Sequence, residues 1–278
     1  MCKRINEKEV KIIELEILDY VTKLCTNLNL TYYLMWGTLI GAVRHQGYIP
    51  WDDDVDIAMP RDDYEKLIDY FISNEKEEDL YKLYSVRNRK DYFYSVSRII
   101  NSKTIIRDIH KSEIIQDKGG VFIDIYPLDN AGNTYKLANR FLNKQKRLYM
   151  LKTLAHCNTF IPAKTSCILS IIKYPVYKIS RLIGEDYFNK KLDINSNNMQ
   201  KKESKYLCVW AGSGNSSNEQ LIFDKEWFKN SKQVKFEDKC FNIPVEYDKV
   251  LTTTYGNYMK VPPIDDQVGH HFYEAYYK

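Results

Sequence analysis

Residues 36–57 constrain this chain more than any other stretch. A Gly-Thr pair, Gly37-Thr38, stands shortly before Trp51-Asp52-Asp53-Asp54-Val55-Asp56-Ile57, where charged and apolar residues interleave. Side chains of a strand alternate between its faces, so Asp54 and Asp56 are expected on one face and Val55 and Ile57 on the other. Two carboxylates converging on one point raise each other's pKa unless a cation lies between them. The pattern therefore predicts a hard cation with oxygen ligands, Mg²⁺ or Mn²⁺ in its place. Zn²⁺ fits less well, because no Cys or His stands at ligand spacing nearby.

Upstream, residues 29–35 are apolar and aromatic enough for a strand, and residues 39–44 begin a helix whose N-terminal amides would face an anion. Gly37 would let backbone and phosphate approach closely. Together these features predict phosphoryl chemistry. As a calcium loop the run fails, because Ile57 occupies the position that needs glycine and Asp63 stands where glutamate is expected. A merely solvated acidic loop would not interleave Trp51, Val55 and Ile57 with its charges.

A third carboxylate comes from a short apolar strand, Val121-Phe122-Ile123-Asp124-Ile125-Tyr126-Pro127. A lone Asp between two isoleucines is costly to bury unless it is paired or metal-bound. Asp124 is thus expected to complete the metal site from a neighbouring strand; the alternative is a water-facing position on a sheet edge.

These residues carry a family resemblance. The run 36–60, the setting of Asp124 up to Leu128-Asp129, and the tail Tyr255-Gly256-Asn257-Tyr258-Met259-Lys260-Val261-Pro262-Pro263 followed by His270-His271 resemble the LicD family. The resemblance implies a nucleotidyltransferase-like fold. It also implies transfer of a phospho-substituent, such as phosphocholine, from a CDP-linked donor to a cell-surface glycan or its lipid-linked precursor. Asp54 and Asp56 are expected to hold the metal, while Gly37, Thr38 and the following helix amides position the phosphate. Asp124 shares the metal site or accepts the proton of the attacking hydroxyl. Asp52 and Asp53 lie beside these groups. Arg44 and His45 contact phosphate or neutralise the end of their helix, and the resemblance favours a substrate role for His270 and His271. Two rivals remain: a nucleotidyltransferase, which would use the same aspartates to move NMP from an NTP to a hydroxyl, and a non-catalytic glycan- or nucleotide-binding protein, which would tolerate an incomplete metal site. Residues 130–250 carry no recognisable motif.

With 278 residues the chain can bury a substantial core. The order of helical and alternating segments predicts an α+β fold with a mixed sheet: residues 1–130 as catalytic core, 131–200 as an appended basic helical region, and 201–278 completing the core and active site. Val10, Ile13, Ile17, Val21, Leu24 and Leu28 recur at helical spacing, residues 62–71 read as a second helix, and residues 92–99 as a strand with 104–109 as its hairpin partner. The net charge of +4 is too small to imply nucleic-acid binding. Six scattered cysteines without a CxxC pair predict free thiols in a reducing compartment. Residues 1–16 are charged throughout and lack a signal-peptide core, and no apolar run approaches about 20 residues, so a cytoplasmic protein is expected. Residues 130–184 contain ten lysines and arginines, among them Lys136, Arg140, Lys144, Arg147 and Lys152, and no Asp or Glu. Helices there are expected to present a basic face, either to solvent or to an anionic membrane at the inner face of the cell.

Overall fold

Asn6 opens the first helix with a reciprocal cap. Its side chain accepts from the Glu9 amide and the Glu9 carboxylate accepts from the Asn6 amide, each at 3.0 Å, so two otherwise orphaned donors are satisfied. The computed structural model describes residues 3–90, 92–108, 119–162, 167–212, 216–269 and 273–278. Along them run β1 (Arg4–Ile5), α1 (Glu7–Asn27), β2 (Tyr33–Leu34), α2 (Trp36–Ile40) continued by a π-helical turn Gly41–His45, β3 (Asp56–Pro60), α3 (Arg61–Asn74), β4 (Tyr81–Tyr84), β5 (Ser97–Asn101), β6 (Thr104–Asp108) and β7 (Phe122–Gly132). Three helices follow, α4 (Tyr135–His156), α5 (Cys167–Ile183) and α6 (Glu185–Gln200). The chain then returns through β8 (Tyr206–Cys208), β9 (Ile222–Asp224), β10 (Ser231–Phe236), β11 (Lys239–Pro244), α7 (Tyr247–Tyr255) and β12 (Tyr273–Tyr277).

The fold is α+β. Its main sheet has the order β2-β3-β7-β5-β4, with β3 and β7 parallel and the other pairs antiparallel; β8 and β9 extend it from the far end of β7. Ile57, Ala58 and Met59 of β3 and Ile123 and Ile125 of β7 are all buried, as expected of central strands covered on both faces. Helix α1 buries Ile13, Ile17, Leu18, Val21 and Leu24 in the same core. A smaller sheet, β1-β12-β6, brings the two ends of the chain together.

Several boundaries differ from the sequence reading. Only Tyr33–Leu34 of the expected strand 29–35 pairs with a neighbour, and the following helix begins at Trp36. The strand expected at 92–99 lies at Ser97–Asn101, and β6 is not its hairpin partner. Both edges of β5 are already taken, by β4 and β7, so β6 pairs instead with β12. Helix α3 extends over Arg61–Asn74, longer than the expected 62–71, with Pro60 at its N-cap.

Two of the helices after β7 build a second, smaller core. Ala138, Phe141 and Leu142 of α4 and Leu192 of α6 pack with Cys208, Trp210 and Ile222. Lys152, counted above among the bases of a surface face, is instead fully buried. Its ammonium donates to the Phe93 carbonyl and the Ser95 hydroxyl and lies 4.9 Å from the Phe93 ring. Cys25, Cys157, Cys208 and Cys240 carry free thiols. Among the described residues no helix is long and apolar enough to cross a membrane.

Candidate active site

The site is built where the β2–α2 connection docks on the first residue of β3. The Met35 amide donates to the Asp56 carbonyl at 3.0 Å, and the Asp56 amide donates to the Thr38 hydroxyl at 2.8 Å. Trp36 enters the turn with φ 50°, a left-handed conformation uncommon for a bulky residue and one that structure must hold in place. Its ring meets Tyr126 edge-on at 6.0 Å. At Gly37 the Asp52 carboxylate occupies the space a Cβ would need. A side chain at position 37 would thus force the Asp52 carboxylate to move.

The parallel register places Asp56 beside Asp124, and the antiparallel register places Asp124 beside Arg98 of β5. Three charged residues thus stand abreast on three adjacent strands. Arg98 Nε donates to Asp124 Oδ1 at 2.8 Å, and the guanidinium lies 3.7 Å from the Phe122 ring and 4.1 Å from that of Tyr94. Asp124 is thus a buried residue of a central strand, not of an exposed edge.

Strand β3 begins at Asp56, so Asp54 precedes it; the Asp124 amide nevertheless donates to the Val55 carbonyl, which keeps this segment extended along β7. Asp52, Asp53 and Asp54 each offer a carboxylate oxygen within 4.8 Å of the others. Burial, then the charges of Asp54, Asp124 and Asp52, push the Asp56 carboxyl well above its usual range, with Arg98 opposing. Asp56 Oδ1 is buried without a hydrogen-bond partner. An orphaned carboxylate oxygen amid other carboxylates fits a hard divalent cation, and the donors are all oxygens, as Mg²⁺ or Mn²⁺ prefers.

Other expected residues have different surroundings. Arg44 donates to the Tyr258 carbonyl at 2.6 Å and lies 5.9 Å from the Trp51 ring, tying the tail motif to the first motif. His45 packs edge-on against Trp51 at 6.3 Å, and burial with the neighbouring Arg44 charge lowers its pKa. His270 and His271 lie outside the described residues. Beside Asp52 and Asp53 opens a cleft of about 1020 Å³, lined also by Arg4, Lys8, Lys11, Trp51 and Tyr273.

Three residues near the carboxylates were not foreseen. Arg98 is one; its signal was a lone charge in the apolar run Val96-Ser97-Arg98-Ile99-Ile100, the counterpart of Asp124 in its own strand. Glu14 is buried on the apolar side of α1, where burial and the charges of Asp54 and Asp53 raise its pKa well above the usual range; a charge between Ile13 and Ile17 was the clue. Tyr126 follows Asp124 by two residues on β7, and its phenol is raised by burial and by the charges of Asp56 and Asp124.

A chain that sets carboxylates at the ends of adjacent strands beside a glycine-containing helix turn has the layout of a nucleotidyltransferase-type domain. The family described as "LicD/FKTN/FKRP, nucleotidyltransferase domain" matches residues 29–156, which hold Gly37, Thr38, the aspartates 52–54 and 56, Arg98, Asp124 and Tyr126. Over 281 aligned positions the chain is 30% identical to the lipopolysaccharide cholinephosphotransferase LicD of Haemophilus influenzae, covering 99% of both proteins. It is also 32% identical to an uncharacterized protein of Rickettsia prowazekii over 129 residues, 40% of this chain and 48% of that one. The chain belongs to the LicD family.

Proposed function

We propose that this protein transfers a phospho-substituent, phosphocholine in the first instance, from a CDP-activated donor to a hydroxyl of a cell-surface glycan or its lipid-linked precursor. The observation that carries this reading is the alignment of Asp56, Asp124 and Arg98 across three strands, with Asp56 Oδ1 unpartnered, in a chain similar over its whole length to a lipopolysaccharide cholinephosphotransferase.

Asp54 and Asp56 would hold the divalent ion, with Asp52 and Asp53 beside them. When bound, such an ion neutralises the diphosphate and the charge that develops on it during transfer. The Asp56 backbone is held by the hydrogen bond from its N–H to the Thr38 hydroxyl, which fixes the point from which the carboxylate projects. Asp124 would accept the proton of the acceptor hydroxyl as that hydroxyl's oxygen attacks the phosphorus farther from cytidine. The bond from that phosphorus to the bridging oxygen breaks, and CMP leaves with the electron pair. Arg98 holds Asp124 in position and balances part of the local negative charge. Trp36 and Tyr126 offer aromatic surface beside anionic groups, a setting that suits a trimethylammonium head.

The test is product analysis. Incubated with CDP-choline, acceptor and Mg²⁺, the protein should release CMP in step with acceptor modification. Release of pyrophosphate from CTP, with CMP joined to the acceptor, would establish a nucleotidyltransferase instead.

A further inference from the structure

Helix α5 is amphipathic in the inverted sense: its more polar side faces the protein. Tyr177 and Ser180 are buried against α4, while Ile171, Ile172, Ile179 and Leu182 are 71%, 62%, 58% and 90% exposed. Ile171, Pro175, Ile179 and Leu182 recur at three- and four-residue spacing, which places them in one stripe along the outer surface. Leaving that much aliphatic surface in water is unfavourable, and a contiguous exposed stripe marks a contact surface. The helix is fixed underneath. Tyr177 donates to the Asn158 carbonyl at 3.0 Å and Arg181 to the Cys157 carbonyl at 2.8 Å, and the Phe160 ring packs edge-on against Tyr174 and tilted against Tyr177 of the helix. The stripe is thus a property of the folded chain.

Charge identifies what covers it. Residues 130–184 carry no Asp or Glu, and the cations of α5, Lys173, Lys178 and Arg181, belong to that segment. The charged residues of α5 itself are all cations, with Glu185 and Asp186 following past its C-terminal end, and an apolar stripe on such a helix matches an anionic lipid surface, whose acyl region takes the aliphatic side chains while its headgroups meet the bases. At 17 residues the helix is about 25 Å long at 1.5 Å per residue, too short to cross a bilayer core of about 30 Å, but suited to lying in its surface plane. We propose that the outer face of α5 docks this protein on an anionic membrane through Ile171, Ile172, Ile179 and Leu182. The inference rests on the helix alone and is independent of the transferase reading.

The test is sedimentation of the whole protein with vesicles of phosphatidylcholine containing phosphatidylglycerol, compared with phosphatidylcholine alone. Binding should require the anionic lipid, weaken as salt is raised, and fall at least about tenfold in an Ile179→Gln/Leu182→Gln variant. Lys178→Glu should weaken it by several fold. Circular dichroism and the thermal midpoint should stay unchanged in these variants, because the altered side chains point away from the core. Absence of vesicle binding by the unaltered protein at low salt would overturn the proposal. So would a concentration-dependent dimer, seen by light scattering, that the double substitution dissolves without any change in vesicle binding; a second copy would then be what covers the stripe.

Discussion

Arg98 donates to Asp124 across 2.8 Å between neighbouring strands, so one of the carboxylates at the centre of the site has its own fixed counter-charge. Removing the guanidinium should leave Asp124 buried and uncompensated beside Asp56. Arg98→Met is expected to lower kcat/KM for transfer by about 10²-fold or more, and Arg98→Lys to restore part of it. Wild-type kinetics in the methionine variant would mean that Asp124 needs no such partner.

Asp56 is held against its own charge: burial and three neighbouring carboxylates raise its pKa. A neutral isostere relieves that repulsion. Asp56→Asn should therefore abolish transfer while leaving the thermal midpoint in metal-free buffer unchanged or higher. A ligand that binds only the folded state raises stability by mass action, so Mg²⁺ should raise the midpoint of the unaltered protein and not that of the variant. Equal Mg²⁺ shifts in both would remove Asp56 from the metal site.

A second buried ion pair supports the sheet from behind. Arg61 at the start of α3 donates to both oxygens of Asp129, at 2.7 and 2.8 Å, and Trp210 Nε1 donates to the same carboxylate at 2.6 Å. Arg61→Met strands a buried carboxylate and should cost about 3–5 kcal/mol in urea unfolding. The double variant Arg61→Met/Asp129→Asn should cost less than the single one.

Lys152 provides a pH test. Burial lowers its pKa to about 8 from an ordinary 10.5, with the charges of Glu185 and Asp193 opposing. Between those values the unfolded chain binds the proton and the folded one does not, so this group makes stability rise with pH from about 8 to about 10.5, by at most about 3 kcal/mol. The stability of the unaltered protein relative to Lys152→Met should rise across that window. Parallel profiles would show that the ammonium is not desolvated.

That Asp56 and Asp124 lie buried on strands was legible because charges inside apolar strands are costly and so carry information; α1 was legible from its helical period. Register was not. That Asp56, Asp124 and Arg98 stand abreast depends on which strands neighbour one another, and strand order is set by long-range packing that no local pattern encodes. The same cause misplaced β6, whose sequence alternates like a hairpin partner of β5 although both edges of β5 are occupied. Lys152 shows the limit of counting charges along a segment: an amine inside a basic stretch reads as surface until its carbonyl and aromatic partners are seen.

The central claim concerns which bond breaks, and a label decides it directly. CDP-choline carrying radioactive phosphorus only in the phosphate that bears choline should, with Mg²⁺ and acceptor, pass its label to the glycan fraction and release unlabelled CMP, with the transfer lost in Asp56→Asn. Cytidine in the glycan fraction, or label transfer that persists in Asp56→Asn, would contradict the account.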